Sequence, residues 1–145
     1  MAHYTGHVSK TATALSELRD DRVGGVETVQ AIDTFLTRLD ETSEIYCFCT
    51  IIAANGTGPI SQHHHATLSV ARPQLRTAND SGGDVFVIIN ETSGKGAKDS
   101  DITRIRAVFA DDDDERSAYR TDWPLEPHLI VESSPGKYHY YWLVD

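Results

Sequence analysis

The chain has 145 residues, with 13 basic and 22 acidic side chains and a formal net charge of -9. That length suits one domain with its own hydrophobic core, and a hydrophobic content of 39% is enough to fill it. The acidic balance argues against a protein that coats nucleic acid by charge alone, though not against an enzyme that reaches phosphates through metal ions. No apolar run approaches the ~20 residues of a membrane span. The start, "MAHYTGHVSKTATA", lacks the apolar core of a signal peptide. A cytoplasmic protein without membrane contact is expected.

Residues 1–24 are polar and read as a loosely held extension, with a short helix around Ala12 to Arg19. In "VETVQAIDTFLTRLD", Val29, Ile32, Leu36 and Leu39 recur at helical spacing and Phe35 widens the stripe, which predicts an amphipathic helix. "EIYCFCTIIA" is rich in β-formers and reads as a strand. Cys47 and Cys49 then share one strand face and cannot easily bridge, so reduced core cysteines are expected. After "NGTGP", a helix is predicted over His65–Ala78, started or kinked by Pro73. "VFVIIN" reads as a central strand buried on both faces. "ETSGKGAKDSD" is a polar loop, and "ITRIRAVFA" a second buried strand that runs into the aspartates. "HLIVESS" and "KYHYYWLVD" flank a Pro-Gly turn and form a hairpin. The order is helix, strand, helix, strand, strand, strand. It predicts an α+β fold, a mostly antiparallel sheet with flanking helices.

Two stretches carry candidate chemistry. In "VFADDDDERS", Asp111 and Asp113 stand at i and i+2, on one side of an extended chain with Cβ atoms roughly 6–7 Å apart. Carboxylates so placed can both reach a divalent metal pair, and Mg²⁺ or Mn²⁺ favours such oxygen ligands. Asp112 and Asp114 offer the same geometry on the other side, and strand parity does not choose between them. A solvated acidic turn is the plainer reading. In "VESSPGKYHYYW", Tyr138, Tyr140, Trp142 and Val144 make one face of a strand, and Lys137, His139 and Tyr141 the other. A histidine and a lysine beside a Ser-Ser-Pro-Gly turn suit a phosphate; an edge hairpin with a solvated histidine is the alternative.

Weaker features remain. His63, His64 and His65 alternate sides on an extended chain, so a solvated loop is expected rather than a metal site. "SGKG" lacks the rest of a phosphate-loop pattern. Arg104 and Arg106 share a face and would meet a phosphate backbone or pair with the acidic cluster. Asp-x-Asp as a glycosyltransferase metal motif would need a nucleotide-sugar domain beyond this length.

A strand ending in Asp-x-Asp, followed by a hairpin bearing a histidine, resembles the archaeo-eukaryotic primase superfamily. "VFVIINETSGKGAKDSDITRIRAVFADDD" followed by "WPLEPHLIVESSPGKYHYYWLVD" is similar to the RepB-like primase domain of plasmids and phages, over about residues 84–145. "IYCFCTI" and the helix after it resemble the family's upstream region more loosely. The resemblance implies that residues 25–145 are the N-terminal part of such a domain, with a partial RRM-like catalytic core. It implies Asp111 and Asp113 as metal ligands for Mg²⁺ or Mn²⁺ and His139 as the phosphate contact of an incoming nucleotide, assisted by Ser134 and Lys137. The catalytic set is then Asp111, Asp113 and His139. The expected partners are a nucleotide triphosphate and a single-stranded DNA template, and a replicative helicase is left open. Asp112 and Asp114 depart from the family pattern, which often has an apolar residue and a glycine there.

The family's third motif, hydrophobic-Asp, lies well downstream of its histidine. Asp145 is six strand residues, or about 20 Å, beyond His139 and is not expected to serve. A truncated domain is therefore expected. The implied function is metal-dependent primer synthesis by nucleotidyl transfer. The alternative is a non-catalytic remnant that binds nucleic acid or a replication partner.

Overall fold

The computed structural model describes residues 25–54, 58–114 and 118–144. The extension at 1–24, with its expected helix, and Asp145 lie outside the described residues. Two helices and three antiparallel sheets make an α+β fold. In chain order these are α1 (Gly25–Leu39), β1 (Tyr46–Ala54), β2 (Gly58–Ala66), α2 (Leu68–Asp80), β3 (Asp84–Ile88), β4 (Glu91–Thr92), β5 (Ile102–Arg104), β6 (Ala107–Asp112), β7 (Leu129–Ser134) and β8 (Lys137–Leu143). The first sheet has the order β2-β1-β3, the second is the β4–β5 pair, and the third has the order β6-β8-β7.

The helical stripe of α1 is real: Ile32, Leu36 and Leu39 are buried. They share one core with Leu68, Ala71, Leu75 and Ala78 of α2, Phe48 of β1, and Val85 and Val87 of β3. Ala107 and Tyr141 bring the third sheet into the same core. Burying these apolar side chains supplies the main driving force, on the order of 1.5–3 kcal/mol for each large one. Cys47 and Cys49 are both buried free thiols, as the strand parity predicts. Burial pushes the Cys47 thiol up from its ordinary value, which keeps it protonated and inert.

Four sequence expectations need correction. "GPISQHHHA" is strand β2, not a loop, and it pairs with β1 along its whole length, with His63 opposite Cys49 and His65 opposite Cys47. The strand takes residues up to Ala66, so α2 starts at Leu68 and Pro73 falls inside it. β3 is buried on both faces at Val85, Phe86 and Val87, but the centre of its sheet is β1. "ITRIRAVFA" is two strands. The Arg106 and Ala107 amides both donate to Asn90 Oδ1, at 3.0 and 3.3 Å, which interrupts the ladder between β5 and β6. β6 is also not fully buried, because Val108 is exposed and Phe109 and Ala110 are half-buried.

Arg104 and Arg106 do not meet the aspartate run. Both pair with Asp40, just beyond the C-terminus of α1, with Arg106 Nε at 2.7 Å from its Oδ2; Arg104 also holds Glu91 at 2.9 Å. The Arg106 side chain is only 2% exposed. Its Nη2 donates to Ser43 Oγ and the Ile45 carbonyl, and its guanidinium lies 4.8 Å over the Tyr46 ring. The Tyr46 hydroxyl in turn donates towards the Leu36 carbonyl at 2.6 Å. Asp40 therefore neutralises a buried cation whose other carboxylate neighbour, Glu91, stands farther off, at 3.7 Å. Burial alone would raise its carboxyl pKa. Hydrogen bonds from Arg106, Thr42 and Arg104 outweigh burial and hold it well below the usual carboxylate range.

Because the folded-state pKa is depressed, this stabilisation is present above the unfolded value of about 4 and is lost as pH falls below it. Resistance to urea should therefore fall progressively as pH drops below about 5, and Asp40→Asn should flatten that dependence. An identical pH profile in the variant would contradict the assignment. At neutral pH, Asp40→Ala should cost about 3–5 kcal/mol, since it leaves the buried Arg106 charge only the looser contact with Glu91 at 3.7 Å. A loss comparable to a surface pair, under about 1 kcal/mol, would show that Arg106 finds another partner.

Candidate functional site

β6 and β8 run antiparallel with Asp111 directly opposite His139 and Asp112 opposite Tyr138. Strand alternation follows from that register: Asp111 and His139 share one face, Asp112 and Tyr138 the other. Asp111 Oδ1 lies 3.1 Å from His139 Nε2, and Asp113 Oδ1 lies 3.6 Å from Lys137 Nζ. The two odd-numbered aspartates, the histidine and the lysine thus form one row at the end of the sheet. Asp112 and Asp114 are elsewhere. Asp112 is half-buried on the opposite face, and its Oδ1 accepts the Asp114 amide at 3.3 Å.

The hairpin geometry sets what flanks the row. Pro135-Gly136 turns between β7 and β8, with Gly136 at φ 77°, a left-handed conformation that glycine adopts without strain. The Gly136 amide is taken up by Glu132 Oε1 at 2.9 Å. A register shift between Glu132 and Ser134 lets the hairpin close with Ser134 opposite Lys137. The Ser134 side chain lies outside what the structure describes. Its neighbour Ser133 is buried, and its hydroxyl donates to the Lys137 carbonyl at 3.4 Å.

His139 is not a solvated edge residue. β8 is the centre of its sheet, so both its edges are paired, and His139 is 1% exposed. Burial lowers its pKa; the negative charges of Asp111 and Asp113 pull the other way without reversing the shift. The imidazole is accordingly neutral near neutral pH. Its Nδ1 is 3.3 Å from the Tyr141 hydroxyl. On the opposite face, the connector between β6 and β7 (residues 118–128) covers the strand: Trp123 packs on Tyr140 and Trp142, and Tyr119 on Tyr138.

Sequence reasoning placed Tyr141 on the face of Lys137 and His139 but gave it no role, and it missed Ser133. The place of Ser133 depends on the register shift, which no local pattern signals.

Asp111 and Asp113 are both exposed, so an ion and its waters can reach them. Among the described residues no three His, Cys, Asp or Glu side chains form a group that could hold a metal ion. Two carboxylates with water around them do fit Mg²⁺ or Mn²⁺, which are commonly held by one or two carboxylates plus waters and substrate phosphates. Compared with protein-family models, curated proteins and solved structures, the chain matches none.

The Lys137–Asp113 pair is solvent-facing, with Asp113 77% exposed, and exposed pairs contribute little to stability. Asp113→Asn should therefore change the unfolding free energy by less than about 1 kcal/mol in urea titration. A larger loss would mean that Asp113 is a structural residue and not one kept available for a ligand.

Proposed function

We propose that this chain is the nucleotide-handling region of a RepB-like primase–polymerase, a metal-dependent nucleotidyltransferase that makes primers on single-stranded DNA. The observation that carries the reading is the pairing of Asp111 with His139, which gathers two carboxylates, an imidazole and an ammonium into one row. That combination offers oxygen ligands for a cation beside nitrogen donors for a phosphate chain. The sequence resemblance names these four residues and Ser134.

Asp111 and Asp113 would hold Mg²⁺ or Mn²⁺, which when bound supplies charge neutralisation and polarisation of the α-phosphate. His139, whose Nε2 lies 3.1 Å from Asp111 Oδ1, is the phosphate contact that the resemblance implies. Lys137 is a compact positive charge on a flexible stem beside Asp113, free to exchange that carboxylate for a phosphate when a cation replaces it. Catalysis in this arrangement is mostly positioning and electrostatics, with little proton transfer asked of the protein. The buried free thiols Cys47 and Cys49 suit a reducing compartment such as the cytoplasm.

Titration calorimetry with Mn²⁺ and a deoxynucleoside triphosphate should give binding by the wild type and loss of at least tenfold in an Asp111→Ala, Asp113→Ala double variant, the equivalent of about 1.4 kcal/mol or more. Equal binding by the two proteins would remove the site. A template-directed primer-synthesis assay then separates the enzyme from a module that binds without making primers.

A further inference from the structure

We propose that the cavity between α2 and the helix-facing side of β1 and β2 is a binding site for a neutral adenine ring, held as a free nucleoside or as one base of a single strand. It shares no residue with the row of Asp111, Asp113, Lys137 and His139 and does not rest on the nucleotidyltransferase reading.

The cavity has a volume of about 280 Å³, at the lower end of the range for small-molecule sites and enough for one base. Strand pairing builds its floor. Thr50 of β1 stands directly opposite Gln62 of β2, and His64 is the next residue of β2 on the same face. Thr50 lies on the side of β1 that carries Tyr46 and Phe48 into the core, so a hydroxyl takes the place of an apolar side chain there. It is 1% exposed, and its Oγ1 is 3.4 Å from His64 Nε2, a long contact for a buried polar group. The roof is α2, where Pro73 and Thr77, and Gln74 and Ala78, are each one turn apart. Gln62, Gln74 and Thr77 are exposed at the mouth, so a ligand can enter.

Donors and acceptors then select the ligand. No lining side chain carries a permanent charge, and a charged ligand would enter without a counter-ion. The α2 wall offers acceptors only. Pro73 has no amide hydrogen. The Thr77 hydroxyl gives its proton to the Pro73 carbonyl at 2.9 Å. The Gln74 amide nitrogen donates to the Val70 and Ala71 carbonyls, at 3.0 and 2.9 Å, which leaves Oε1 for a ligand. A ligand must therefore bring a donor to this wall. Gln62, across the cavity, has one donor group and one acceptor, the pair that a glutamine matches to N7 and N6 of adenine. The second N6 hydrogen is then available to Gln74 Oε1. Guanine shows two acceptors, N7 and O6, on the same edge and would set an oxygen against the oxygens of α2. Ile52 and Pro73 supply apolar surface for the ring faces.

The test is a titration of the ¹⁵N-labelled full chain with adenosine in EDTA, followed by ¹H–¹⁵N amide spectra. Amides around Thr50, from Gln62 to His64 and from Gln74 to Ala78 should shift together, with a Kd on the order of 1 mM. Inosine, which has a carbonyl in place of the amine, should bind at least about tenfold more weakly, the equivalent of about 1.4 kcal/mol. Gln62→Ala and Gln74→Ala change exposed positions and should each weaken adenosine by roughly 3- to 10-fold, with the rest of the spectrum reporting that the variant is folded. The absence of a saturable shift, inosine binding as well as adenosine, or full adenosine binding by the folded double variant would overturn the proposal.

A short oligodeoxyadenylate distinguishes the two sources. Tighter binding than adenosine, with the same amides shifting, assigns the site to a base of a strand; equal or weaker binding assigns it to the free nucleoside. Adenosine carries no phosphate and needs no divalent ion, so its binding stands or falls apart from cation binding at Asp111 and Asp113.

Discussion

Arg106 places a permanent positive charge where α1, the start of β1 and the link into β6 converge, and that charge has to be answered inside the protein. Asp40 answers it, and the geometry of the answer propagates. The same arginine offers its amide to Asn90 beyond β3 and its carbonyl to Val144 beyond β8. One residue therefore fixes where β6 begins relative to both the first sheet and β8. A hydrophobic replacement of such a network can be as stable, so its value here lies in specifying one arrangement. Once β6 begins at Ala107, the ladder with β8 can only bring Asp111 against His139; a slip of one residue would turn the histidine towards the connector.

The second determinant is that β8 sits between two strands and between two covered faces. A histidine on an edge strand would be hydrated and readily charged. On β8 it is desolvated, and the pull of Asp111 and Asp113 does not outweigh that burial. The protein thereby keeps a neutral donor at the inner end of the row and leaves the mobile charges, Lys137 and Asp113, at the outer end. The division follows strand position and asks nothing unusual of any single residue.

Much of this was legible in the sequence. The α1 stripe, the β1 composition and the hairpin around Pro135-Gly136 each carried a local signal, and each element formed as expected. Strand β2 did not read as a strand because it is an edge with polar, largely exposed residues, so no alternating apolar pattern marks it. The Asn-Gly preceding it was the available hint of a hairpin. The break in "ITRIRAVFA" was invisible because it depends on Asn90, sixteen residues away from Arg106. At the site, the parity of Asp111, Asp113, Lys137 and His139 was readable from strand alternation once the hairpin was granted. The burial of His139 was not, since it depends on β8 being central. The choice of Asp40 as the arginines' partner, across more than sixty residues, had no sequence signature.

Among the described residues β6 pairs with β8 on one side and with no strand on the other. Such edges invite a second chain to add a strand, and charge is a common deterrent. The aspartate run begins on that edge and continues past its tip. Asp112 and Asp114, which lie apart from the proposed cation site, still put negative charge along the line where another strand would have to dock. An incoming copy would bring the same four aspartates against these. The run that marks the candidate site therefore also insulates the sheet against its own kind.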